Sequence, residues 1–186
     1  MGAVGLVVWL LAAILVGASG RLTALRPPAP QILLAGLTVL SFAAVTLAPS
    51  LRAWAAAVDM RALVALHLTR FVGIYFLALY NRGELPFEFA VIGGWGDILV
   101  AALAAVLVLG GPVAGDGRRR AVQIWNALGI LDLAFVVATA ARLAIARPEA
   151  MAPLLRLPLC LLITYIVPLL FTTHLILWTR LFRRTA

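Results

Sequence analysis

Apolar residues in this chain fall into long blocks and do not alternate with polar ones. Six mainly apolar stretches, at about 2–19, 31–48, 62–80, 97–114, 121–141 and 157–179, each come near the roughly 20 residues that a helix needs to cross a bilayer. Short connections containing Arg, Pro or Gly separate them. The ten-residue alternating segments of an outer-membrane barrel are absent, so the blocks are helices whose backbone groups are satisfied internally. With no internal repeat and no long linker, residues 1–186 are expected to form one all-α domain, a polytopic membrane bundle of six transmembrane helices.

Composition agrees with that pattern. Hydrophobic residues make up 65% of the chain, charged residues 12%, and the mean hydropathy is +1.10, outside the range of a water-soluble domain of this size. The first block ends in VGASG but lacks a basic region before it and is longer than a signal peptide's apolar core, so it is expected to stay as a helix. Cys160, the single cysteine, falls in the sixth block and can form no intramolecular disulfide.

The formal net charge of +8 comes from arginine alone, with no basic helix bearing interleaved aromatics, so no nucleic-acid partner is expected. The charge reads instead as topology. Six crossings place Arg52, Arg61, Arg118, Arg119, Arg120, Arg180, Arg183 and Arg184 on one face. Arg21, Arg26, Arg82, Arg142, Arg147 and Arg156 fall on the other, together with Glu84, Glu88 and Glu149. The positive-inside rule then puts both termini on the cytoplasmic side of a bacterial inner membrane.

Two connections are unusual. PSLRAWAAAVDMRA is expected to form a short helix lying in the interface, with Trp54 at headgroup depth. NRGELPFEFAVIGGWGD carries Glu84 and Glu88 yet is half apolar, which suits either a partly re-entrant loop over residues 81–96 with Asp97 as N-cap of the fourth helix, or a plain external loop. Within and around it, R-F-V-G-I-Y-F-L from Arg70, G-E-L-P-F-E-F-A from Gly83, G-W-G-D ending at Asp97, W-N-A-L-G-I-L-D from Trp125 and V-P-L-L-F-T-T-H ending at His174 are similar to motifs of a group of small bacterial multi-pass membrane proteins of unknown function. The resemblance covers roughly residues 65–180. It implies a recurring helical membrane architecture and no activity.

Ionisable groups inside a span are costly, so each one calls for a partner or a purpose. Counted at about 1.5 Å per residue from the flanking arginines, Arg70 lies ~13 Å deep and Asp132 ~18 Å deep, both near mid-membrane, which predicts an Arg70–Asp132 pair. His67, Asn126 and His174 share a shallower level, each ~9 Å in. His67 and Arg70 are three residues apart on one helix face. Gly129, between Asn126 and Asp132, allows close approach of a neighbour, and Pro168 can bend the sixth helix toward the polar level.

Four functions compete for these residues. His67 and His174 are candidate axial ligands of a b-type haem, although no short haem motif is present. The Arg70/Asp132 pair with the histidines is a candidate lining for a small transporter or channel, which the lack of an inverted repeat disfavours. An enzyme acting on a lipid would use Asp132 or His174 as acid or base, but no nucleophile–base pair or metal-ligand spacing is legible. A subunit or scaffold would use the polar centre only to specify packing. The expected partners are thus the lipid bilayer and a small apolar or haem ligand, with Arg70, Asn126 and Asp132 as buried support, Glu84, Glu88 and Asp97 as loop carboxylates, and no metal site.

Overall fold

The computed structural model describes residues 2–182; Arg183 and Arg184, counted above toward topology, lie outside the described residues. The chain forms α1 (Gly2–Ala18), α2 (Ala29–Leu47), α3 (Pro49–Ala57), α4 (Met60–Asn81), α5 (Glu88–Leu109), α6 (Asp116–Ala146) and α7 (Leu162–Phe182). Short 3₁₀ segments at Arg21–Ala24 and Pro148–Leu155 precede α2 and α7, and no strand occurs among the described residues. Helices α2, α4, α5, α6 and α7 are long and apolar enough to cross a membrane, while α1, at 17 residues, is shorter.

Local chemistry sets the helix starts. Proline occupies the first turn of α2 and of α3, where its missing N–H costs nothing. Asp59 caps α4 by accepting from the Arg61 N–H at 2.8 Å. The fourth block begins earlier than its hydropathy suggests, because Glu88–Gly93 winds as a π-turn directly into the helix. Residues 88–96 are therefore neither a re-entrant nor a plain loop. Asp97 is not an N-cap, since it sits inside the helix and its side chain points elsewhere.

Helices α4 to α7 form the core, α2 leans on α7, and α1 packs on α3 and on the start of α7. The inside and outside are inverted relative to a water-soluble protein. Leu15, Leu47 and Leu109 are each at least 70% exposed, while His67, Arg70, Asn126, Thr173 and His174 are at most 1% exposed. This distribution suits a lipid surround, in which the polar groups must find one another.

The tightest crossing joins α4 to α5. A Cβ on Gly73 would strike the Gly94 carbonyl oxygen, and one on Gly94 would lie 3.1 Å from the Gly73 oxygen. Glycine at Gly73 is required for the backbones to touch, and glycine at Gly94 relieves a tight contact on the other side. Arg70 is three residues before Gly73 and Asp97 three residues after Gly94, so this antiparallel contact brings their side chains face to face.

At α7, Pro168 lacks the N–H that would meet the carbonyl of Thr164, and Trp9 Nε1 of α1 donates to that oxygen at 2.9 Å. Cys160 is buried in the helical turn that runs directly into Leu162 of α7. At the opposite end, arginines satisfy carbonyls that the helix termini leave open. Arg61 Nη2 donates to Val108 at 2.9 Å, Arg118 Nη2 to Leu107 at 2.7 Å, and Arg119 Nε to Leu181 at 3.0 Å.

Candidate functional site

Residues Leu66–Phe71 of α4 wind as a 3₁₀ helix, in which side chains three apart eclipse one another. His67 and Arg70 therefore stack along one line, closer than on an α-helical face. Arg70 spreads its guanidinium over three acceptors. Nε donates to Asp97 Oδ1 at 2.6 Å, Nη1 to the Gly129 carbonyl at 3.0 Å, and Nη2 to Asp132 Oδ2. One planar fork thus ties α4 to α5 and α6, a task for which arginine is suited and lysine is not. Asp132 is the more open carboxylate, with 18% of its side chain accessible against 6% for Asp97. A Cβ on Gly96 would overlap Asp132 Oδ1, so the glycine makes room for that carboxylate.

The imidazoles form the adjoining layer. Thr173 gives its hydroxyl proton to the Leu170 carbonyl at 2.9 Å and so accepts from His67 Nε2 at 3.0 Å. Asn126 Nδ2 donates to the His174 carbonyl at 3.3 Å, which turns Oδ1 to accept from His174 Nδ1 at 2.8 Å. The two rings touch, with centroids 4.2 Å apart. Trp125 meets His67 edge-on at 4.9 Å and donates Nε1 to the Val100 carbonyl at 3.0 Å. His174 fills the place where Gly129 has no side chain, since a Cβ there would lie 2.6 Å from its Cε1. His67 Nδ1 and His174 Nε2 are buried without a protein partner. The centre is therefore rich in acceptors: two carboxylates, a carbonyl and two ring nitrogens around one guanidinium.

Haem does not fit this arrangement. An iron bound by both imidazoles needs its macrocycle between the rings, and rings at 4.2 Å are already at contact distance. Among the described residues no group of three His, Cys, Asp or Glu side chains gathers as a metal-ligand set.

The other predicted residues lie apart. Glu84 is exposed on the α4–α5 turn. Glu88 makes an ion pair with Arg147 at 3.0 Å, with 41% and 48% of the two side chains accessible. Sequence reasoning placed Asp97 among the loop carboxylates and did not find its pairing with Arg70, and it did not single out Thr173. The spacing of Gly73 and Gly94 from Arg70 and Asp97 is the signal that would have found the first.

An open space lies beside this centre. A cavity of about 880 Å³ opens laterally between α2, α6, α7 and the Pro148–Leu155 segment. Its wall is mostly apolar, from Leu34 and Ala35 on α2 to Phe171 on α7, with Arg26, Glu149 and Arg156 at one end. A second cavity of about 60 Å³ touches Thr69, Arg70 and Asp97 and shares Leu34, Val137, Ala140, Leu154 and Ile163 with the first. By the ~10–15 Å³ that one water needs, it has room for a few. Those shared side chains line both the lateral cavity and the smaller one that reaches Arg70 and Asp97.

Residues 27–182 match the model of a family described as a domain of unknown function, DUF8737, and the chain belongs to that family. Neither the curated proteins nor the solved structures compared with it include a match.

Proposed function

We propose that this member of the DUF8737 family is a six-span protein of the bacterial inner membrane that binds a small apolar or amphipathic ligand drawn sideways from the bilayer. The observation that carries this reading is the lateral cavity: its volume falls in the ~300–1,000 Å³ range of small-ligand sites, and its wall is apolar with polar groups gathered at its ends. Its α2 wall is suited to admitting a ligand, because Pro30 is the one buried residue of that helix.

The polar centre serves this site in two ways. It locks α4, α5, α6 and α7 so that the cavity's inner wall is rigid, and it sets the Arg70–Asp97 pair just behind the shared side chains. A role limited to packing is the second reading. It is favoured by the fact that, in this centre, every polar side-chain atom but His67 Nδ1 and His174 Nε2 has a partner or is open to solvent.

Support for α1 as the sixth crossing comes from its contacts. Gly2 lies against Trp54 of α3, and Gly17 lies against Leu157 and Cys160 at the other end. At 17 residues α1 is about 25 Å long, near the thickness of the hydrocarbon core. The arginine distribution favours the α3 face as cytoplasmic, and bacterial origin rests on the resemblance described above.

Photolabelling tests the cavity. Diazirine-bearing palmitate should crosslink to peptides covering residues 23–39 and 137–156, and Ala35→Trp should remove those adducts while labelling of α1 persists. Equal labelling of both proteins at these peptides would reject the reading. Ala35 is itself exposed on α2, so tryptophan there fills the cavity without displacing core residues.

A further inference from the structure

We infer that the occupant of the lateral cavity is a phosphate-headed amphiphile whose phosphate is held between Arg26 and Arg156. This rests on reading the cavity as a ligand site and names the ligand's class. The Arg21–Ala24 turn packs against the Pro148–Leu155 segment, and together they form the cavity's rim. Arg26 follows the first by two residues and Arg156 follows the second directly, so two arginines from distant parts of the sequence flank one opening.

Both arginines are exposed, and neither takes part in an ion pair among the described residues. By contrast, Arg147 nearby is already paired with Glu88. Glu149 is the one carboxylate on the cavity wall, leaving the rim with one net positive charge. Position favours a lipid headgroup over a freely dissolved anion. Arg26 sits just before α2 and Arg156 just before α7, at the boundary between span and connection, which is the level of lipid headgroups. A guanidinium fork donates in parallel to two oxygens, and a phosphodiester offers oxygens to both forks at once.

The apolar part of the ligand then has a defined course. From the start of α2 at Ala29 to Val39, the deepest α2 residue on the wall, is ten residues, or about 15 Å. That carries a tail from the headgroup level to mid-membrane, beside Phe171 and the shared side chains that cover Arg70.

The full chain in maltoside detergent, assayed by native mass spectrometry, tests this with three probes: 1-palmitoyl lysophosphatidylglycerol, 1-monopalmitoylglycerol and inorganic phosphate. The lysophospholipid should bind as one equivalent, roughly tenfold or more tighter than the uncharged monoacylglycerol, since one charge-assisted contact accounts for that ratio. Arg26→Ala with Arg156→Ala should abolish the preference and leave both probes binding at the weaker level. Ala35→Trp should abolish both.

Equal binding of the two lipids to the unmodified protein, or a preference that survives the double substitution, overturns the headgroup inference and leaves the cavity reading standing. Binding of both lipids unaffected by Ala35→Trp overturns the cavity reading and this inference with it. Inorganic phosphate should compete weakly, and displacement of the lysophospholipid by an equal concentration of phosphate would overturn the amphiphile assignment. Monodispersity on gel filtration confirms that each variant is folded, and Arg26→Gln with Arg156→Gln repeats the test with milder changes.

Discussion

Arg70 ties three helices of the bundle together. Its three donors meet acceptors on two other helices, and its removal leaves Asp97 and Asp132 facing each other in an apolar surround. Breaking a buried pair by deleting one partner costs about 3–5 kcal/mol, chiefly from the charge left uncompensated. Arg70→Leu should therefore lower stability by that amount in denaturant titration of the detergent-solubilised protein. Arg70→Lys should restore only part, because an ammonium cannot reach all three acceptors. Arg147→Ala, which breaks the exposed and solvent-screened pair with Glu88, should leave stability nearly unchanged. Equal losses for Arg70→Leu and Arg147→Ala would contradict this account of the centre. Counting residues from the flanking arginines places both Arg70 and Asp132 near mid-membrane, because both spans enter from the same side. The same count missed Asp97, whose helix enters from the other side and begins nine residues before it, hidden by the polar look of GELPFEF.

At the scale of the helix, the controlling features are small residues and departures from α geometry. Gly73 and Gly94 let α4 and α5 touch, and the 3₁₀ stretch at Leu66–Phe71 aligns His67 with Arg70. Gly73→Ala should separate the two helices and lengthen the Arg70–Asp97 contact. The expected cost is about 1–3 kcal/mol, the range for overpacking against a backbone that cannot yield. Gly5→Ala on α1 is the matched control, since a Cβ there meets nothing within 4 Å. It should be neutral or slightly stabilising, through the better helix propensity of alanine. Thermal melts of the two variants distinguish a packing role for Gly73 from a general effect of glycine replacement. Hydropathy blocks reveal where helices exist but carry no signal for 3₁₀ or π-turns, which arise from how neighbours pack. That is why the approximate spans of α2, α4 and α6 were legible, while the start of α5 and the eclipsing of His67 with Arg70 were not.

Over the whole molecule, the polar layer and the lateral cavity are parts of one design. Aliphatic side chains cover the outside, the Arg70 fork and the imidazole pair fasten four helices, and α2 stands apart enough to leave a cavity of about 880 Å³ at its back. The sequence alone pointed to His67 and His174 as the binding place, because two histidines at one depth look like ligands. In the fold they touch each other and their neighbours, and the open space lies on the other side of Arg70. A cavity wall drawn from residues 23–39, 137–156, 163 and 171 has no local signature, since its parts meet only after folding. The most direct test is an electron cryomicroscopy map of the protein in phospholipid nanodiscs. The account predicts elongated density inside the cavity, with its head between Arg26 and Arg156 and its tail reaching Phe171. An α2 seated flush on α6 and α7, with the cavity closed and no such density, would contradict it.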